Sequence, residues 1–182
     1  LGFSLIVLSI FSFYCFGVSE TLFLLCTSLF LCCLCLFIIN FFTGRILTGD
    51  GGAYFLGFLI GSISIVICNE KILNASTIAF IICYPIIEMC FSFFRRLALK
   101  GTSSFSPDNL HIHQLLYYII YDISKKGEFN FSPEKVNSIS SLLILITILF
   151  ILIIGLSLEE YVNSLIFFIG SILIYCYFYY KL

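Results

Sequence analysis

Long apolar runs, interrupted by only a few short polar breaks, dominate this chain. About 20 residues of helix cross the hydrocarbon core of a bilayer, and runs of that length recur from end to end. Six spanning segments are expected, at about 3–18, 21–41, 53–69, 76–94, 139–157 and 164–180. Backbone polar groups in lipid must be satisfied internally, which leaves helices or closed barrels. The runs lack the apolar–polar alternation of a barrel strand, so an all-α, polytopic transmembrane protein is expected. Composition agrees: 61% of the 182 residues are hydrophobic and 10% charged, against about 25% charged in soluble domains.

The segment from Leu1 to Val18 has no basic residue ahead of it, so it reads as a span rather than a secretory signal. The chain starts at Leu1 and its one methionine is Met89, from which we expect it to be the C-terminal part of a longer protein. We expect residues 1–182 to form a single transmembrane domain with polar loops at 42–52 and 95–138. The nine cysteines lie in or beside apolar runs without the paired spacing of a zinc site, and read as small hydrophobes. The sequon Asn74-Ala75-Ser76 is too short to carry weight.

Basic residues set the orientation. Placing loops 42–52 and 95–138 and the C-terminus on one side collects eight of the nine Lys and Arg residues there, and only Lys71 falls opposite. That side is expected to be the cytoplasm.

Two polar stretches on that face carry the chemistry. The first is Gly44-Arg45-Ile46-Leu47-Thr48-Gly49-Asp50-Gly51-Gly52. A carboxylate beside a bilayer is costly. Glycines allow close backbone approach, and a helix expected to start near Ala53 would aim its N–H groups at phosphate oxygens. Asp50 would suit Mg²⁺, which takes one or two carboxylates plus substrate phosphates. The alternative is that Asp50 only caps the helix. The second stretch runs from Arg95-Arg96 to Pro107-Asp108-Asn109-Leu110-His111-Ile112-His113-Gln114. The arginines suit a phosphate site or an ordinary positive-inside anchor. Glu88, two turns before Arg95, needs a partner or a cavity so deep in the membrane. His111 and His113, close together in an extended segment, suit a metal pair, phosphate recognition or plain solvation.

In order and spacing these stretches resemble a known family. The run from Asn40 through Gly49-Asp50-Gly51-Gly52 to Leu56-Gly57 resembles one signature of the polyprenyl-phosphate N-acetylhexosamine-1-phosphate transferases. Tyr84-Pro85-Ile86-Ile87-Glu88, Arg95-Arg96 and Ser106-Pro107-Asp108-Asn109-Leu110-His111-Ile112-His113 resemble the family's later cytoplasmic loop. The resemblance covers about residues 40–116, and the nearest subgroup starts O-antigen, common-antigen or wall-teichoic-type glycans. It implies transfer of a sugar-1-phosphate, of the N-acetylhexosamine class, from a UDP-sugar to undecaprenyl phosphate with release of UMP. It places Asp50, His111 and His113 in the catalytic machinery, with Mg²⁺ (or Mn²⁺) at Asp50, and assigns Asn40, Arg95, Arg96 and Asp108 to substrate binding. The implied partners are the UDP-sugar, the polyprenyl phosphate lipid and the bilayer of a bacterial inner membrane. A homodimer is compatible, and no nucleic acid is expected. The family's paired aspartates and Asp-Gly loop fall upstream of the matched region, so the isolated 182-residue chain is expected to be inactive. Gln114 stands where the family carries a further histidine, which touches the identity of the sugar or full activity. Two other readings remain: a degenerate relative with a binding role, and a transporter, which would place ionisable residues deep in several helices where this chain has only Glu88.

Overall fold

In the computed structural model, which describes residues 1–43, 49–98, 111–127, 131–158 and 164–181, the described residues form eight helices and no strand. They are α1 (Gly2–Cys15), α2 (Glu20–Thr43), α3 (Gly49–Asn69), α4 (Ala75–Ile81), α5 (Cys83–Ala98), α6 (Ile112–Lys126), α7 (Pro133–Ser157) and α8 (Ser164–Lys181). Four of them, α2, α3, α7 and α8, are long and apolar enough to cross a membrane. A fifth span results if α4 and α5, interrupted at Ile82, are taken together. The chain is a multi-pass, all-α membrane protein.

The expectation of six full spans is not met among the described residues. Helix α1 has 14 residues and reaches about 21 Å at 1.5 Å per residue, short of the roughly 30 Å hydrocarbon core. The fourth expected span is interrupted for a local reason. Pro85 has no N–H to give the carbonyl four residues back, and its ring collides with that carbonyl. The residue concerned is Ile81, where α4 ends. Within α5, Pro85 is the third residue, in the first turn, where no intrahelical N–H partner is missed.

One more expectation changes. Helix α3 begins at Gly49 rather than near Ala53, so Asp50 lies inside its first turn. The long polar stretch 95–138 contains helix α6 and the first turn of α7. Gly49, at φ +61°, adopts the left-handed conformation that glycine takes without penalty.

Two compact units, Leu1–Ile81 and Ile82–Leu182, make up the chain. In the first, α1 folds back on α2 through a turn at Gly17, whose φ is +75°. Phe16 and Phe23 pack edge to face beside that turn. Ser12 and Thr27 hydroxyls share a 2.8 Å hydrogen bond between the two helices. Val7, Leu8, Phe11, Cys15 and Cys26 are wholly buried. In the second unit α6 packs along α7. The buried Ser124 hydroxyl accepts the Phe131 N–H at 2.9 Å, which fastens the end of α6 to the approach to α7. Helix α7 starts with Ser132 as N-cap, its hydroxyl accepting from Lys135 N–H, and with Pro133 at the first helical position, a strong start signal.

Most hydroxyls inside the spans are satisfied by their own helix. Ser28, Ser64, Thr147 and Ser171 each donate to the carbonyl four residues earlier, at 2.6–2.8 Å. Large apolar side chains such as Phe55, Phe58, Ile65, Leu142 and Leu173 point outward, as lipid requires.

Phe11 and Phe13, two residues apart on α1, separate protein packing from lipid contact: Phe11 is 0% exposed and Phe13 77%. Phe11→Ala should lower thermal stability in detergent by about 3–5 kcal/mol through the cavity it leaves. Phe13→Ala should change it by no more than about 0.5 kcal/mol. Circular dichroism melts of the two variants check this.

Candidate functional site

The second unit gathers a polar cluster at the C-terminal end of α5 and the start of α6. Along α5, Tyr84, Glu88, Ser92 and Arg95-Arg96 recur at three- and four-residue intervals, so they share a helix face. Tyr84 hydrogen-bonds the Glu88 carboxylate one turn on. The Glu88 side chain is only 14% exposed, and its Oε1 is buried with no hydrogen-bond donor among the described residues. Two imidazole nitrogens approach that oxygen: His111 Nδ1 at 3.4 Å and His113 Nδ1 at 3.6 Å. The buried Ser92 hydroxyl lies 3.4 Å from the same His111 nitrogen.

The histidines hold this arrangement because of how α6 begins. His111 is its N-cap, with extended backbone at φ −68°, ψ 149°. Two residues later His113 is already within the first turn. The fully extended geometry expected for the His-x-His pair therefore holds only for His111. The two rings stack, with centroids 5.6 Å apart and planes 13° from parallel. Gln114 secures the start of the helix. Its side-chain Oε1 accepts the His111 backbone N–H at 3.2 Å, while its own N–H donates to the His111 carbonyl at 2.9 Å. The residue that departs from the resembled motif thus has a defined local role: it closes the helix terminus that carries both imidazoles.

Arg95 and Arg96 occupy the last turn of α5, where cations complement the helix dipole. Arg96 Nε donates to the Ser92 carbonyl at 3.2 Å. The Arg95 guanidinium lies 5.7 Å from the centre of the Tyr179 ring, a cation–π distance. Tyr179 belongs to an aromatic cluster between α5 and α8. Phe91 sits 4.5 Å from Tyr179 and 5.4 Å from Tyr175, centroid to centroid. That packing fixes the arginine-bearing end of α5.

The expected site residues fall into three groups. His111, His113, Arg95 and Arg96 lie on α5 and at the start of α6, and Glu88 pairs with the imidazoles there. Asp50 is exposed in the first turn of α3, and Asn40 is half-buried near the end of α2; both belong to the first unit. Asp108 lies outside the described residues. Among the described residues no group of three or more His, Cys, Asp or Glu side chains is placed to hold a metal ion. A metal pair built on the two histidines therefore gains no third protein ligand among the described residues. At Asp50, exposed in the first turn of α3, a Mg²⁺ ion would need phosphates and water to fill its other positions. Ser92 and the Glu88–histidine contact were missed in the sequence. The signal for Glu88 was present, since an ionisable residue so deep in an apolar run demands a partner.

A deep carboxylate facing two imidazoles, beside two arginines at a helix end, defines a multi-pass membrane protein with a polar site suited to anionic ligands. Over 74 residues the chain is 38% identical to an undecaprenyl-phosphate alpha-N-acetylglucosaminyl 1-phosphate transferase of Pasteurella multocida, a match covering 40% of this chain and 20% of that protein. Proteins of the same name from Haemophilus influenzae and Escherichia coli K12 are 36% and 35% identical over stretches of the same length. The resemblance expected from the motifs is thus borne out. The match spans about a fifth of the length of these curated relatives. No protein-family model matches the chain, and no solved structure matches it.

Replacing Gln114 isolates its role at the helix start. Gln114→Ala should speed amide hydrogen exchange at His111 about fivefold, for a hydrogen bond worth about 1 kcal/mol. Gln114→Glu keeps the acceptor and should leave the exchange rate near its original value. Hydrogen–deuterium exchange of the peptide containing residues 111–115 reads both.

Proposed function

We propose that this chain forms part of a membrane transferase that moves N-acetylhexosamine-1-phosphate from a UDP-sugar to undecaprenyl phosphate, starting a cell-envelope glycan. The observation that carries this reading is the cluster of Glu88, His111, His113, Arg95 and Arg96. It is assembled from residues that resemble the family's cytoplasmic loop. The similarity to enzymes named for transfer onto undecaprenyl phosphate supports the same reading.

In the proposed reaction an oxygen of the lipid phosphate attacks the sugar-linked phosphorus of the UDP-sugar. The new P–O bond forms as the pyrophosphate P–O bond breaks, and the bonding pair leaves on UMP. Such transfers depend on positioning and charge neutralisation more than on covalent participation by the protein. Arg95 and Arg96 supply fixed positive charge and forked donors that match phosphate oxygens. His111 and His113 supply two adjacent imidazoles at the start of a helix, where N–H groups face an anion. Asn40 and Asp108 are assigned to substrate binding through the resemblance. Asp50 would hold Mg²⁺, which supplies neutralising charge to phosphate oxygens when bound.

The bias of basic residues supports a reading in which the loops that carry these groups face the cytoplasm of a bacterium with the spans in its inner membrane. In a version lacking the nine native cysteines, Lys125→Cys should resist an impermeant maleimide in intact cells and react after permeabilisation. Labelling in intact cells would reverse the orientation.

Asp50→Asn tests the metal role. In the full-length protein, turnover of UDP-N-acetylhexosamine with undecaprenyl phosphate in membranes should fall about 10²-fold or more, the scale of losing one electrostatic stabiliser, with membrane insertion unchanged. Near-normal turnover would leave Asp50 as part of a helix start only.

A further inference from the structure

From the convergence of two imidazole nitrogens on one buried carboxylate oxygen, we infer that Glu88 is the positioning residue of the histidine pair: it holds both rings with Nδ1 inward, so that the two Nε2 atoms face an anionic phosphoryl ligand together. The inference rests on the proposed transferase reading for the identity of that ligand, but not for the arrangement itself.

Glu88 Oε1 lies 3.4 Å from His111 Nδ1 and 3.6 Å from His113 Nδ1. An ionised carboxylate oxygen can only accept, so a ring that bonds it presents Nδ1 as N–H. In an imidazole the second nitrogen lies across the ring, so Nε2 of each is turned away from Glu88. Because the planes are 13° from parallel, the two Nε2 atoms are presented side by side. A ring protonated at both nitrogens donates from Nε2 to an anion on that side while its Nδ1–H faces Glu88. Two stacked imidazolium rings repel each other, and a buried carboxylate shared between them offsets that repulsion.

The neighbours of Glu88 leave this role to it. On α5, Tyr84 donates to the carboxylate and cannot replace its charge. Ser92 Oγ reaches His111 Nδ1 at 3.4 Å and offers that ring a second acceptor. Tyr175 of α8 lies within electrostatic range of both Glu88 and Arg95. His113 Nδ1 faces Glu88, which makes His113 the diagnostic ring. The contact distances exceed those of a tight hydrogen bond.

The test uses the full protein in bilayers, labelled with ¹⁵N-histidine. The signals of His111 and His113 are assigned with His111→Asn and His113→Asn variants. Imidazole ¹⁵N shifts report which ring nitrogen holds the proton. We expect the Nδ1–H form at His113 in the native protein, and its loss in favour of Nε2–H in Glu88→Ala. Glu88→Asp, which keeps the charge on a shorter arm, should retain part of the Nδ1–H population. Transferase assays should show Glu88→Gln lowering kcat about 10- to 100-fold, the range seen when an orienting partner of a functional histidine is lost. KM for the UDP-sugar should change less, and Glu88→Asp should recover part of the loss. An unchanged His113 tautomer in Glu88→Ala would overturn the inference. So would wild-type kcat in Glu88→Gln. Absence of transfer by the native protein, with the tautomer still dependent on Glu88, would overturn the transferase reading and leave the positioning role standing.

Discussion

Hydrocarbon offers no hydrogen bonds, and that single deficit shapes the whole chain. Each peptide N–H and C=O inside the bilayer must find a partner within the protein, so the apolar runs become helices. Side chains then have two environments to satisfy. A minority pack against neighbouring helices, as Phe11 and Ile67 do, and the majority of large apolar groups face outward. Polar chemistry is confined to the ends of helices and to the connections between them, where water and free backbone groups are available. Arg95 and Arg96 at the end of α5, and His111 at the start of α6, occupy such places.

Glu88 is the exception, and the cluster is organised around it. A carboxylate one to two turns inside a span needs compensation. Tyr84, His111 and His113 provide it from a helix face and a helix terminus. The same contacts that make the carboxylate tolerable also orient the imidazoles. A charge that would be a liability in an apolar helix thereby becomes the reference point for the site. Two features then hold the frame around it: the aromatic packing of Phe91 with Tyr175 and Tyr179, and the closure of the α6 terminus by Gln114.

Much of the fold was legible in the sequence, because the hydrocarbon thickness imposes a length that can be counted. The spans at 21–41, 53–69, 139–157 and 164–180 are found as helices extended at one or both ends. What failed to read was local backbone chemistry. Pro85 is visible in the sequence, but its effect falls four residues earlier, on Ile81, inside a run that hydropathy treats as continuous. Gly49 begins α3 because it takes a left-handed conformation, which apolar periodicity does not encode. The site was legible in part. The spacing of Arg95-Arg96 and of His111 and His113 marked the polar face. The contact between Glu88 and the histidines joins residues more than twenty positions apart, and no local pattern announces it. The departure at Gln114 read only as a missing histidine until its Oε1 was seen bonded to the helix start.

The hydroxyl groups within the spans have a consequence for how freely the helices can move. Ser28, Ser64 and Thr147 spend their donors on their own helix and make no directional demand through them on a neighbour. Helices joined mainly by apolar surfaces can slide or rotate by small amounts without leaving a polar atom stranded. Directional pins, such as the Ser12–Thr27 bond between α1 and α2, mark where such freedom ends. Such a scaffold can adjust its outward-facing apolar surface without disturbing the polar groups at its helix ends.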